Sequence, residues 1–126
     1  MKKTQMWLTV LKWIPAVFII CCSWYLSSQP TVEHIPKFQN ADKIVHFVCF
    51  GILSFWIAFA IIRKKTLCIP LTSLYGIIDE IHQYFVPGRS CSFADWIADT
   101  IGAAAGYLAF TITLALIVKI TRHHKE

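Results

Sequence analysis

Four apolar segments, each close to the length that crosses a lipid bilayer, take up most of this chain of 126 residues. A membrane-spanning helix needs about 20 predominantly apolar residues, and such segments occur at residues 7–27, 43–62, 67–86 and 93–119. Hydrophobic residues make up 56% of the sequence, which is too many for an ordinary soluble domain. The sequence therefore predicts one all-α domain, residues 1–126, that forms an integral membrane bundle of four transmembrane helices.

The net charge of +5 is interpreted as a topology signal. The basic residues are not gathered into one stripe with stacking aromatic residues, so no nucleic-acid partner is predicted. They flank the apolar segments instead, near the N-terminus, at residues 63–65 and at residues 119–125. Because cytoplasmic connections carry an excess of lysine and arginine, both termini are predicted to lie in the cytoplasm. The connections at residues 29–41 and 87–91 are then predicted to lie on the extracytoplasmic side.

A polar cluster interrupts the third apolar segment. Two carboxylates, an imidazole and an amide fall within five residues: Asp79, Glu80, His82 and Gln83. At helical spacing Asp79 and His82 share one face of the helix, and Glu80 and Gln83 share the adjacent face. Ionisable side chains in hydrocarbon cost several kcal/mol and usually face a polar interior. The cluster therefore predicts a site or a pathway rather than lipid contact.

The fourth segment carries a second polar stripe. Ser92, three residues before Asp95, predicts the start of its helix. Asp95, Asp99, Gly102 and Gly106 follow one another at helical spacing, which places them on one face. The two glycines allow a neighbouring backbone to approach closely, and Gly76 on the third segment is assigned the same structural role. Packing explains the glycines but does not explain the carboxylates beside them.

The second segment begins with Asp42, Lys43 and His46, so three predicted helices contribute polar groups. At a rise of about 1.5 Å per residue, Asp79 lies roughly 10 Å inward from the end of its segment. The other groups lie at similar or shallower depth on the same side. We therefore expect the following residues to line one cavity that opens to the extracytoplasmic side: Asp42, His46, Asp79, Glu80, Gln83, Arg89 and Asp95.

Arg89 follows the third segment directly, and two interpretations of it stay open. Its guanidinium could clamp Asp95 or Asp79 and tie the loop down, or it could bind a phosphate-bearing ligand. Carboxylates outnumber cations in this region. The remaining carboxylates must be protonated, metal-bound or paired with an imidazolium.

The order and spacing of these residues resemble a known family. The residues concerned are Asp42-Lys43-Ile44-Val45-His46-Phe47, Tyr75-Gly76-Ile77-Ile78-Asp79-Glu80-Ile81-His82-Gln83, Pro87-Gly88-Arg89, Ser92, Asp95, Gly102 and Gly106. Over residues 42–109 they resemble the VanZ-like family of small bacterial membrane proteins. Asp99 departs from the family pattern, which more usually has Asn there, so the resemblance does not support a need for charge at this position.

The resemblance implies a multi-pass protein of the bacterial cytoplasmic membrane with a role in the cell envelope. The founding member is associated with low-level resistance to the glycopeptide antibiotic teicoplanin. The matched polar positions are Asp42, Lys43, His46, Asp79, Glu80, Gln83, Arg89 and Asp95. They indicate a functional polar site without specifying a reaction.

Two functions are favoured over a third alternative, a transporter or ion pathway, because four short helices offer little room for alternating access unless the chain oligomerises. The first is recognition of an envelope lipid, a lipid-linked cell-wall component or a glycopeptide antibiotic, with these ligand-binding residues: Asp42, Lys43, His82, Gln83, Arg89 and Asp95. The second is a membrane-embedded enzyme that modifies such a lipid.

In the enzyme, Asp79 or Glu80 would be the general base and His46 or His82 would transfer protons. A metal held by Asp79, Glu80, Asp95 and a histidine is a variant of it, although no compact metal motif is present. The substrate, any metal or other cofactor, and the oligomeric state stay open.

Overall fold

The computed structural model describes residues 2–30 and 40–124, and the secondary structure of this part of the chain consists of helices without any strand. The helices are α1 (Lys2–Leu11), α2 (Ile14–Ser27), α3 (Ala41–Ala60), α4 (Cys68–Tyr84) and α5 (Phe93–His123), with a short 3-10 helix at Lys65–Leu67. The all-α prediction is therefore confirmed for the described residues. Most of the predicted extracytoplasmic connection at 29–41, namely residues 31–39, lies outside them.

Three helical stretches are long and apolar enough to cross a membrane: Met6–Ser27, Ala41–Ala60 and Phe93–His123. They correspond to the first, second and fourth predicted spans. The third predicted span forms α4, whose 17 residues measure roughly 26 Å at about 1.5 Å per residue. That length is a few ångströms below a typical hydrocarbon core of about 30 Å, and the carboxylates of α4 reduce its apolar character.

The first stretch is interrupted by a turn at Lys12 and Trp13, where α1 ends and α2 begins. Pro15 occupies the first turn of α2, where the missing N–H group of proline costs no hydrogen bond.

Ser92 caps α5 at the start predicted for the fourth helix, and its hydroxyl oxygen accepts a hydrogen bond from the Asp95 N–H group at 3.3 Å. The prediction that the fourth helix begins at Ser92 is thus confirmed.

Glycines bring the backbones of α3 and α5 into direct contact, and this is the most extensive helix pair in the described structure. A Cβ atom at Gly102 would clash with the Phe47 carbonyl group, and one at Gly106 would clash with the Gly51 carbonyl group. A Cβ atom at Gly51 would in turn lie 3.2 Å from the Gly102 oxygen. Small residues permit such close packing in membranes, so α3 and α5 form the fixed centre of the fold.

An apolar core lies towards the end of the fold that includes the α3–α4 connection. Leu53, Ile57 and Phe110 pack there with smaller residues of α2 and α4. Lys65 closes the end of α3, because its ammonium donates hydrogen bonds to the carbonyl oxygens of Ala58 and Ile61 at 2.9 and 2.7 Å. Partial burial and the nearby charge of Lys12 lower the pKa of Lys65.

Large apolar side chains cover the outer surfaces of the helices. Phe18, Leu108 and Ile117 are representative, with exposed fractions of 67%, 59% and 53%. An apolar surface of this extent is not compatible with water. It fits the hydrocarbon of a lipid bilayer, as the composition predicts.

Candidate functional site

A cavity of about 440 Å³ lies between α2, α3, α4, the start of α5 and the segment that joins α4 to α5. The structure brings most of the residues predicted to converge onto its walls, namely Asp42, His46, Asp79, Gln83, Arg89 and Asp95. Apolar side chains, including Leu26, Val45 and Phe50, complete the lining. Polar groups from three helices and one loop therefore meet in a mainly apolar surround, which is the usual composition of a ligand pocket.

Asp79 is held on the cavity wall by α2 and by its own helix. It is only 1% exposed, and its Oδ2 atom accepts hydrogen bonds from the Ser27 hydroxyl at 2.9 Å and from Gln83 Nε2 at 3.0 Å. Its second oxygen, Oδ1, is buried without a hydrogen-bond partner. Ser27 thus orients one face of the site. Sequence reasoning missed it because the family pattern used there starts at Asp42.

Lys43 pairs with two of the carboxylates that line the cavity, Asp42 and Asp95. Its Nζ atom lies 2.9 Å from Asp42 Oδ2 and 3.0 Å from Asp95 Oδ1. Asp95 is shielded from solvent at 7% exposed, whereas the side chains of Lys43 and Asp42 are 33% and 47% exposed. The cation that pairs with Asp95 is therefore Lys43, and the clamp considered for Arg89 on Asp95 is not formed.

Arg89 lines the cavity without an ion pair to any residue that the structure describes. Its Nε atom is buried and has no hydrogen-bond partner. The preceding Gly88 has a φ of +80°, a conformation that glycine adopts readily, and this turn brings Arg89 to the cavity. An unpaired guanidinium in a partly buried position is suited to an anionic group.

A second group of side chains adjoins the cavity, and we call His46, Glu80 and Asp99 the imidazole cluster. His46 Nδ1 lies 2.9 Å from Asp99 Oδ1 and 3.9 Å from Glu80 Oε1. Asp99 is fully buried and Glu80 is 3% exposed. Glu80 does not line the cavity, and its Oε2 atom accepts a hydrogen bond from the Ser92 N–H group at 2.6 Å. His46 belongs to both the cluster and the cavity.

Asp99 is the main residue that sequence reasoning undervalued. The family pattern gave no support for a charge at this position, yet the buried Asp99 carboxylate makes the shortest contact of the imidazole cluster, 2.9 Å to His46 Nδ1. Gly76 makes room for it, because a Cβ atom at Gly76 would lie 2.7 Å from Asp99 Oδ2. The available signal was the helical stripe that Asp99 shares with Asp95 and Gly102.

His82 lies apart from the cavity lining. Its ring stacks on Trp24 with centroids 4.0 Å apart, and its Nε2 atom lies 3.0 Å from the Ser28 hydroxyl. These contacts fasten α4 to the end of α2. The predicted ligand-binding role of His82 stays a prediction.

The apolar helices and the buried polar groups together define a helical membrane protein. The chain belongs to the VanZ/LLP1 family, whose model matches residues 2–116. The predicted resemblance is thereby confirmed, and it extends beyond residues 42–109 to include α1 and α2. No curated protein and no solved structure matches the chain.

Gly76→Ala is expected to destabilise the protein by about 1–3 kcal/mol. The added methyl group would approach Asp99 Oδ2 and displace the carboxylate from His46. Thermal unfolding of the detergent-solubilised protein would measure the effect. Leu74→Ala is the control, because Leu74 is on the same helix and 55% exposed. An unchanged midpoint for Gly76→Ala would show that the fit around Asp99 is loose.

Proposed function

We propose that this protein recognises an envelope lipid or a lipid-linked cell-wall component by binding its anionic headgroup in the cavity. The observation that carries this proposal is Arg89, a cavity-lining guanidinium whose Nε atom is buried and unpaired. Arginine binds phosphate and carboxylate groups with two parallel hydrogen bonds. A phosphate-bearing headgroup would supply the missing partner.

The carboxylates on the same walls narrow the chemistry of the ligand. Asp42, Asp79 and Asp95 also line the cavity, and ionised carboxylates only accept hydrogen bonds. A ligand that combines an anionic group with hydroxyl or amino groups would therefore bind the guanidinium through the former and donate hydrogen bonds to the carboxylates through the latter. Sugar-bearing and amino-bearing lipid headgroups have this composition, and a glycopeptide antibiotic such as teicoplanin has it as well.

We infer that the cavity opens on the extracytoplasmic side of the bacterial cytoplasmic membrane. The cavity residues lie at the start of α3, the end of α4 and the start of α5, whereas Arg63, Lys64 and Lys65 lie between α3 and α4. The positive-inside bias assigns the basic end to the cytoplasm. In this arrangement α4 also crosses the bilayer, and its polar last turns face the cavity.

Reporter fusions test this orientation. Alkaline phosphatase is expected to be active when fused at Arg89 and inactive when fused at Lys65, because the enzyme folds only outside the cytoplasm. A cytoplasmic reporter fused at the same two positions should give the reverse pattern. Activity at Lys65 together with inactivity at Arg89 would place the cavity on the cytoplasmic side.

Lipids retained by the purified protein test the recognition itself. Native mass spectrometry of the full chain in mild detergent is expected to show a bound phosphate-bearing lipid. A deletion strain should also change in teicoplanin susceptibility and recover on complementation. Retention of neutral and anionic lipids in the proportions of the membrane would contradict selective recognition.

A membrane-embedded enzyme is the second candidate, and the imidazole cluster favours it. An imidazole oriented by a buried carboxylate beside a ligand cavity is an arrangement suited to proton transfer. Lipid profiling of the deletion strain complemented with wild type or Glu80→Gln, at matched expression, separates the two functions. Loss of one lipid product in the variant would support catalysis, and an unchanged profile would support recognition alone.

A further inference from the structure

We propose that the imidazole cluster is a binding site for one divalent metal ion of the zinc or manganese type. His46 on α3, Glu80 on α4 and Asp99 on α5 each direct one potential ligand atom to the same point. These three atoms all lie within 4.8 Å of one another. The inference does not depend on the proposed recognition of a headgroup.

The distances fit metal coordination. Two ligands at about 2.1 Å from a tetrahedral ion are roughly 3.4 Å apart. His46 Nδ1 is 2.9 Å from Asp99 Oδ1 and 3.9 Å from Glu80 Oε1, values on either side of that separation. An ion would take the place of the hydrogen bond between His46 and Asp99, and the third pair, Glu80 with Asp99, also has ligand atoms within 4.8 Å of each other.

An unpaired buried oxygen is an independent indication that the cluster takes a cation. Glu80 Oε1 has no hydrogen-bond partner and lies 3.9 Å from His46 Nδ1, and Glu80 is only 3% exposed. Buried carboxylates normally have their hydrogen-bonding capacity satisfied. Glu80 is already oriented by the Ser92 N–H group on its other oxygen, so Oε1 is aimed towards His46 and free to bind an ion.

The charges of the cluster also favour a bound cation. Lys43 is engaged with Asp42 and Asp95, and among the described residues only His46 pairs with Glu80 or Asp99. The carboxylates of Glu80 and Asp99 then have only the His46 imidazole as a possible positive partner in the described part of the chain. A divalent ion would neutralise both carboxylates, and the imidazole would bind it in the neutral form with Nδ1 deprotonated.

The ligand set limits the identity of the ion. Imidazole nitrogen suits zinc and other first-row transition metals, and carboxylate oxygen suits manganese and zinc. Three protein ligands leave at least one coordination position open. His46 also lines the cavity, so water or a ligand in the cavity would reach that position. The metal variant considered from sequence used Asp79 and Asp95, and the structure assigns Asp99 instead.

Metal analysis of the purified full chain tests the proposal. After chelation and reconstitution with Zn²⁺ or Mn²⁺, wild type is expected to hold about one ion per chain. Glu80→Gln and Asp99→Asn should bind it roughly 100-fold more weakly, since even residues behind a ligand contribute about 10–100-fold. Asp79→Asn is the matched control and should retain the ion, because Asp79 is equally buried but is hydrogen-bonded to Ser27 and Gln83.

X-ray absorption on cobalt-loaded or zinc-loaded wild type keeps the test decisive if a variant does not fold. One imidazole nitrogen with carboxylate oxygens is the expected shell. Sulfur ligands from a cysteine, no imidazole, or no binding of either ion by wild type would overturn the proposal. Arg89→Gln should retain the ion, so a failed headgroup-binding test and a failed metal test are distinguishable.

Discussion

Gly106→Leu is expected to remove most of the protein from the membrane. Even a Cβ atom at this position would clash with the Gly51 carbonyl group, and backbone atoms cannot turn away as a flexible side chain can. Leucine would force α5 away from α3 and open the packing that positions Asp95 and Asp99. Overpacking of a rigid contact typically costs about 1–3 kcal/mol, and occasionally more. The protein level in the membrane fraction, measured by immunoblot, is the readout.

Ala104→Leu is the matched control for this prediction. Ala104 lies two residues before Gly106 on the same helix but is exposed, so the same bulk would point away from α3 and accumulation should be unchanged. Gly102→Leu should behave as Gly106→Leu does, because its Cβ atom would clash with the Phe47 carbonyl group. Normal accumulation of both glycine variants would show that α3 and α5 do not need their close contact.

Arg89→Gln should abolish retention of the anionic lipid while the protein accumulates normally. The guanidinium makes no ion pair with a described residue, so its removal breaks no such contact within the structure. Glutamine keeps some hydrogen-bonding capacity but loses the charge. Removal of a charged partner from a buried ligand pair typically costs about 2–5 kcal/mol, which corresponds to a loss of affinity of at least about 30-fold. Native mass spectrometry and teicoplanin susceptibility at matched expression are the readouts.

Two further variants separate charge from geometry at this position. Arg89→Lys keeps the charge but not the bidentate fork, so its binding should be intermediate. Arg63→Gln removes an exposed basic residue at the opposite end of the fold and should leave binding unchanged. Full binding and a full phenotype in Arg89→Gln would mean that the cavity does not use Arg89 for recognition.

Helical spacing and the cost of polar groups in hydrocarbon were enough to predict which residues face inward. The cavity wall includes Asp79, Gln83 and Asp95, whose polar side chains would be too costly to expose to lipid. The glycine contact was equally accessible, because Gly102 and Gly106 are one turn apart. These predictions depend on features within a single helix.

Partnerships between helices were not predictable in the same way. Whether Asp95 pairs with Lys43 or with Arg89 depends on the rotation of the helices and on the path of the loop that carries Arg89, and helical spacing determines neither. Glu80 and Gln83 share a helix face, yet only Gln83 lines the cavity. Asp99 was undervalued because the family pattern was given more weight than its position on the buried stripe.

The direct contact between α3 and α5 determines which wall of the cavity is able to move. Two helices whose backbones touch at Gly51, Gly102 and Gly106 cannot approach further, and they separate only by losing that contact. Few residues of the stretch Met6–Ser27 are buried, 6% of its most apolar window, and α2 contacts the other helices through Ala16 in the core and through Ser27 with Asp79. Because Leu26 and Ser27 of α2 line the cavity, a shift of α2 alone would change the width of the cavity and leave the contact between α3 and α5 intact.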